Sequence, residues 1–412
     1  MGNLFKIALR NLLRYKRRSL LTASLITVGV VFVLVFVSVS GSFKSMMIGQ
    51  ITDSMMGHLQ VHRKGFVASI ETLPLNLNLQ AAAIARLEEI LDKEPAIEAY
   101  SPRIKFGGMF SNFTETASIR LTAIYPEKEY KTVPLLPERV IEGSRELKPG
   151  GILVPELLAR GMKVKTGDAV VIVATNADGS VNGKQFIVTG VLGSVTGPGG
   201  RDGYLHLDDA LEILRMEKKE ISEFAIRLKD FGKLGAVSQK LEGLLSRELN
   251  QQNKPIFELH TWEKLSPFFN IARMIEIMTF FIKLMLIAIV LISITNVMIM
   301  AVYERIREIG TISAIGTLPG KILNMFVIEG FCLGIAGALI GNIVGVVVVL
   351  IINMLKITYD FGQQSGLILQ AALYPGDLLV VSVTVIIVAV IASLQPAFKA
   401  SRMEPIKALR HI

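Results

Sequence analysis

Glu304, Arg305, Arg307 and Glu308 stand in the stretch ERIREIGTISAIG (304–316), directly after an apolar run that ends NVMIMAVY. Charges of both signs this close together do ion-pair chemistry. On a helix, Glu304 can reach Arg307 and Arg305 can reach Glu308 at i+3 spacing. A plain exit from a membrane needs a few charges and nothing more, yet Ile306, Ile309, Ile312 and Ile315 carry an apolar pattern through the same segment. Those isoleucines spread over about half of a helix surface. An amphipathic helix this short is marginal alone and wants a groove to lie in. Docking on a partner is the chemistry this segment can do.

Other chemistries lack their residues. His58, His62, His206 and His260 show no metal-ligand spacing such as HExxH, and no GxSxG turn occurs. GTLPGKI (316–322) has three residues between its glycines and no Ser or Thr after its Lys, so it is not a Walker A loop. The glycine-rich GSVTGPGGRDGY (193–204) lacks the following helix that a phosphate cradle needs. It reads as a surface loop, or as a docking loop with Arg201 and Asp202 at its tip. No active site, metal site or bound cofactor is expected on this chain.

The elements that must position the charged helix follow from hydropathy. The chain has 412 residues, 51% hydrophobic and 19% charged, a balance normal for a protein partly buried in lipid. Four runs reach the length of about 20 apolar residues needed to cross a bilayer: 20–41, 278–302, 322–355 and 378–394, the last followed by Pro396. The first is too long for a cleaved signal and reads as a retained anchor. Lys6, Arg10, Arg14, Lys16, Arg17 and Arg18 precede it, Arg305, Arg307 and Lys321 lie between spans two and three, and Lys399, Arg402, Lys407 and Arg410 follow span four. By the positive-inside rule both termini and the 303–321 loop are cytoplasmic, and 42–277 faces the other side with the short loop 356–377. The net charge of +9 sits largely in these flanks and does not call for nucleic acid.

The expected fold is an α-helical membrane protein with four transmembrane helices and a large α+β extracytoplasmic domain inserted between helices 1 and 2. Residues 1–19 form an interfacial helix, with Lys6, Arg10 and Arg14 on one side and Leu4, Phe5, Ala8, Leu9 and Leu12 on the other. Within the domain, 79–93 and 232–250 have helical spacing, while GHLQVHR, ASIRLTAI and PIFELHTW read as strands. AVVIVAT and KQFIVTGVLG form strands of a small β-rich subdomain, about 138–212, around turn dipeptides Asp178-Gly179 and Asn182-Gly183. The only cysteine, Cys332, falls in the third span, so the domain depends on its own core rather than on disulfides.

Three further sets could carry function. Gly330, Gly334, Gly337, Gly341 and Gly345 make one stripe on the third span, where a second helix can approach closely. Lys283 and Glu329 are ionisable groups inside spans; each either snorkels to an interface or has a functional partner. Phe43, Met46, Met47, Ile51 and Met55 form an adaptable apolar stripe just beyond the first span. That stripe either packs on FFNIARMIEI or faces an acyl chain or other apolar cargo.

RIREIGTISAIG, EGFCLGIAGALIG and the tail PAFKASRMEPIKALR together resemble the permease domain shared by the FtsX, MacB and LolC/LolE lipoprotein-release families. ALRNLLRYKRRSLLT resembles the same family, and VPELLARGMKVKTGD resembles the outer domain of the LolC/LolE and MacB group more loosely. The resemblance is closest to the LolC/LolE type. It implies an inner-membrane ABC transporter permease that pairs with a second permease, as a homodimer or heterodimer, and is driven by a dimer of cytoplasmic ATPase subunits. ATP and Mg would be bound there, on separate chains. It also implies that 304–316 is the coupling helix, with Glu304, Arg305, Arg307, Glu308, Ile309, Gly310, Ala314, Ile315 and Gly316 as its contact set. Extraction of lipoprotein or another amphiphile from the outer leaflet by mechanotransmission is the implied work, with membrane lipid and a periplasmic chaperone as further partners. MacB-like efflux through a periplasmic adaptor and an FtsX-like relay to an extracytoplasmic hydrolase are the alternatives.

Overall fold

The computed structural model describes residues 2–193, 202–361 and 364–404, without the side chains of 2–4, 9, 18, 286 and 360–367. Residues 194–201 of the glycine-rich loop, the side chains of Leu4, Leu9 and Arg18, and Lys407 and Arg410 lie outside the described residues. The chain forms two compact units: Met1–Ser45 with Arg273–Thr358 and Ile368–Ile412, and Met46–Ala272 with Tyr359–Leu367.

The first unit is helical. An amphipathic helix Gly2–Arg14 leaves Lys6, Arg10 and Arg14 exposed and buries Ala8. Among the described residues, four helices are long and apolar enough to cross a membrane: Ser19–Met56, Phe268–Glu304, Pro319–Met354 and Pro375–Ser401. All outrun their apolar stretches, because backbone hydrogen bonding continues into polar flanks once the lipid-facing length is satisfied. Pro396 accordingly lies inside the fourth helix, not beyond it. The shared core joins Ile26, Val30 and Leu34 to Ile294 and Met298, Phe326 and Leu333, and Val385 and Ala389. Between spans, Asn342 Nδ2 donates to Ser382 Oγ at 2.8 Å and Thr295 Oγ1 to the Ala392 carbonyl at 3.2 Å.

The second unit is built on β1 (Leu59–Arg63), β2 (Ile97–Ser111), β3 (Thr116–Ile124), β4 (Val140–Gly143), β5 (Gly151–Pro155), β6 (Ala169–Thr175), β7 (Val181–Leu192), β8 (Asp202–His206), β9 (Glu223–Leu228) and β10 (Phe257–Thr261). One half is the antiparallel sheet β10-β1-β9-β2. Ile84, Leu87 and Leu91 of helix Ala81–Asp92, with Val237, Leu241 and Leu245 of helix Leu234–Leu245, bury themselves in a core with Leu59, Val61, Phe224 and Ile226 of that sheet. In the other half, β2, β3, β8, β5, β7 and β6 pair in a closed ring that returns to β2. Ring closure removes exposed strand edges, and Phe106, Phe110, Ile172, Phe186 and Val188 fill its core.

The β-rich subdomain therefore begins well before 138, since β2 and β3 belong to the ring. Pro102 and the pair Gly107-Gly108 disguise β2, because proline and glycine ordinarily argue against a strand interior. Here Gly108 permits a close crossing: a Cβ on it would lie 2.9 Å from the Val173 carbonyl of β6. Asp178-Gly179 makes the β6–β7 turn, with Gly179 at φ 84°, whereas Asn182 and Gly183 lie within β7. The loop 356–377 also holds two short strands, Thr358–Phe361 and Gln364–Ile368.

Fully buried Arg103 sits where β2 passes from the sheet to the ring. It bonds Glu129 at 2.6 Å and Glu223 at 3.0 Å; Glu223 also meets Lys105 at 2.9 Å and His62 at 3.3 Å. Burial alone would raise the Glu223 pKa, but Lys105, the His62 hydrogen bond and Arg103 outweigh it and hold the carboxyl well below the usual range. A depressed folded-state pKa stabilises above the unfolded value of about 4.3 and is lost as pH falls through the folded one. The unfolding midpoint of the full chain, followed by emission of its single tryptophan Trp262, should fall between about pH 5 and pH 3. Lys105→Gln should make that fall shallower; an unchanged slope would exclude Lys105 from the effect.

Candidate coupling site

Helix Phe268–Glu304 ends where Arg305 leaves helical geometry at φ −108°, ψ 17°, and Ile306–Ala314 then forms a separate helix. One of its faces is closed. Ile306, Ile309 and Gly310 are buried, Ile309 in the same core as Val302, Ile322 and Phe326. The other face presents Arg307, Glu308, Thr311, Ile312, Ala314 and Ile315, the last 80% exposed. The helix ends in a Schellman cap: the Gly316 N–H donates to Ser313 at 3.0 Å and the Thr317 N–H to Ile312 at 3.3 Å, with Gly316 at φ 94°. Pro319 then starts the third span.

This geometry divides the expected contact set. Glu304, Arg307, Glu308, Ala314 and Ile315 are exposed. Ile309 and Gly310 face the chain's own core, and Gly316 serves as a cap. Arg305 turns inward as well, only 2% exposed, and does not pair with Glu308 as its spacing suggested. Its Nη1 donates at 2.7 Å to Oε1 of Glu329, which is fully buried on the third span. Asn11 of the N-terminal helix donates to the same oxygen at 2.9 Å, and the Arg305 guanidinium lies 4.4 Å from the Tyr15 ring centroid. Arg14 reaches Glu308 at 3.6 Å, an exposed pair of little energetic weight.

Glu329 thus has a partner, which explains how a carboxylate persists in an apolar helix. Sequence spacing missed Arg305, Asn11 and Tyr15 in this role. The only available signal was that a short acidic side chain inside a span requires a nearby cation. Lys283 is half-buried and takes part in no ion pair among the described residues.

The glycine stripe packs within the chain. A Cβ on Gly330 or Gly334 would meet Ser393 or Ala389 of the fourth span at 2.6 or 2.8 Å. On Gly337, Gly341 or Gly345 it would meet Ile26, Val30 or Leu34 of the first span at 2.5, 2.6 or 2.8 Å. Of the apolar stripe, Met47 and Ile51 are buried with Trp262 and Ala272, and Ile51 also borders a cavity. Phe43, Met46 and Met55 are half-buried, and Tyr359 donates to Met46 Sδ at 2.9 Å. Among the described residues no cluster of His, Cys, Asp and Glu could hold a metal ion.

Comparison with known proteins matches residues 19–244 to the MacB-like periplasmic core domain and residues 280–405 to the FtsX-like permease C-terminal domain. The chain is 23% identical over 411 residues to the lipoprotein-releasing system transmembrane protein LolC of Neisseria meningitidis serogroup B, covering 94% of this chain and 92% of the relative. It is 31% identical over 217 residues to the ABC transporter permease YtrF of Bacillus subtilis, covering 49% of this chain and 48% of the relative. Among solved structures, the periplasmic region of MacB from Actinobacillus actinomycetemcomitans aligns with 51% of this chain and 92% of its own, at 13% identity and a TM-score of 0.35.

Proposed function

The chain belongs to the family of ABC transporter permeases that join a MacB-like periplasmic core to an FtsX-like permease domain, and we propose that it couples ATP hydrolysis on a separate ATPase dimer to release of an amphiphile. One observation carries this reading. Helix Ile306–Ala314 has one face anchored in the chain's own core and the other face left open with mixed charge and Ile315. A rigidly held helix with an open face suits transmission of force from a partner. The basic flanks support a cytoplasmic position for this face and for both termini. ATP and Mg belong to the partner, and a second permease, identical or different, completes the assembly. Similarity to LolC along nearly the whole chain supports lipoprotein, or another acylated molecule of the outer leaflet, as cargo. Transport is then mechanical: closure of the ATPases draws the docked helices together, and the spans carry the movement outward.

The test is a joint reversal, Arg307→Glu with Glu308→Arg, which keeps net charge but mispairs both residues with the partner. Mispaired charge at an interface costs several kcal/mol, so stimulation of the co-expressed ATPase should fall at least about tenfold. Membrane levels should stay normal, since both side chains are exposed. Ile315→Asp should behave alike, whereas Ile309→Asp strikes the core and should lower yield instead. Full stimulation in both the reversal and Ile315→Asp would refute docking through this face. Robust ATP hydrolysis by the purified chain alone would refute the division of labour.

A further inference from the structure

The second unit holds a partly open cavity of about 300 Å³. Part of its lining is apolar: Ile51, Met55, Met56, Leu265, Pro267 and Phe268. Ile70, Glu71 and Leu73 add to the lining, and most of its charged groups come from one face of three adjacent strands. Lys105 on β2 is registered with Thr122 on β3, and Arg120 and Thr122 are registered with Asp202 and Tyr204 on β8. Alternation along each strand therefore turns Arg103, Lys105, Arg120 and Asp202 to the same side, and Arg139 joins them in the lining.

The charges in this lining are unevenly answered. Arg103 and Lys105 are met by buried Glu129 and Glu223. Arg120 has Asp202 at 3.4 Å. Arg139 has no carboxylate within ion-pair distance among the described residues; it donates only to the backbone carbonyls of Ser54 at 3.2 Å and Gly193 at 3.3 Å. Its Nε is buried without a hydrogen-bond partner. Asp202 thus answers Arg120 but not Arg139, and burial raises the pKa of that carboxylate against the pull of Arg120, Lys105 and Arg139. Glu71, also in the lining, makes no ion pair with either arginine among the described residues.

We propose that this cavity binds a single-chain anionic amphiphile, with its carboxylate or phosphate held by Arg120 and Arg139 and its hydrocarbon against Met55, Met56 and Phe268. A half-buried guanidinium whose Nε is buried without a partner has an unmet donor, and an incoming anion supplies its acceptor through charge-assisted, bidentate bonding. Flexible thioethers adapt to a hydrocarbon chain. The volume lies at the low end for ligand sites, which suits one chain rather than a two-tailed lipid. The site stands apart from the coupling reading, since it requires neither an ATPase nor transport.

The test uses the full chain in phosphatidylcholine nanodiscs with a dodecanoic acid that carries a photoreactive diazirine in its tail. Crosslinks should map by mass spectrometry to 51–56 or 265–268, saturate, and be displaced by dodecyl phosphate. Arg120→Gln and Arg139→Gln should each weaken labelling about tenfold, the effect of one lost hydrogen bond to a charged group. Arg139 also ties two carbonyls, so Arg120→Gln, altered at a side chain 43% exposed, decides if Arg139→Gln unfolds. Unchanged labelling in Arg120→Gln would overturn the proposal. So would equal displacement by dodecanol, which would leave the charge without a role, or by inorganic phosphate, which would leave the chain without one.

Discussion

Glu329→Gln should destabilise the full chain by about 3–5 kcal/mol, the usual cost of removing one partner from a buried ion pair. The substitution changes shape very little, so the loss isolates charge. Arg305, 2% exposed, would keep its guanidinium beside the Tyr15 ring with no carboxylate to answer it. Asn11 could still donate to the Gln carbonyl, which limits local rearrangement. Arg305→Met should cost a similar amount for the opposite reason, because it strands a carboxylate in an apolar helix. Combining Arg305→Met with Glu329→Leu should recover most of the loss, since apolar replacement of a buried pair is often nearly neutral. A double-mutant cycle on thermal unfolding in detergent reads the coupling directly. Additive single effects would mean that the two groups do not depend on each other. Function should not recover with stability: without the pair, helix Ile306–Ala314 loses its polar tie to the third span, and ATPase stimulation should stay low in the stable double variant.

The spans were legible in the sequence because lipid imposes a demand that few other environments make, a long run with almost no charge. Alternation made β6 legible to the residue, because one of its faces fills the ring's core. What escaped were features fixed by contacts distant in sequence. Arg305 has Glu308 three residues away, a reasonable helical partner, but the helix breaks at Arg305 and sends its side chain to Glu329, 24 residues on. Asn11 reaches the same carboxylate across 318 residues, which no local pattern reports. Met47 and Ile51 carry the spacing of an adaptable surface, which is equally the spacing of a core helix, and both are buried with Trp262 while Ile51 also borders the cavity. The ring was hidden by Pro102 and Gly107-Gly108, whose local preferences were overridden by strand pairing on both sides.

The glycine seam should tolerate substitution unevenly along its length. At Gly337 the first obstacle to a Cβ is Ile26, whose Cγ2 and Cβ would lie at 2.5 and 2.6 Å; at Gly341 it is Val30 Cβ at 2.6 Å. These atoms are branched and close to the backbone, so neither can swing aside, and relief requires the two helices to move apart. At Gly345 the obstacle is Leu34 Cδ1 at 2.8 Å, the far end of a side chain with a second rotatable bond, and the next atom stands at 3.4 Å. Gly337→Ala and Gly341→Ala should therefore each destabilise by about 1–3 kcal/mol, the usual range for overpacking. Gly345→Ala should be close to neutral, because Leu34 can shift its methyl. Gly337→Leu and Gly341→Leu should abolish assembly, since three further carbons must enter a contact that already excludes one. Size-exclusion profiles of detergent-solubilised protein, with unfolding midpoints for the alanine series, separate these cases. Equal tolerance at all three positions would mean that the helices are not held by close backbone approach. Normal assembly of both leucine variants would place the seam against lipid, where added bulk costs little.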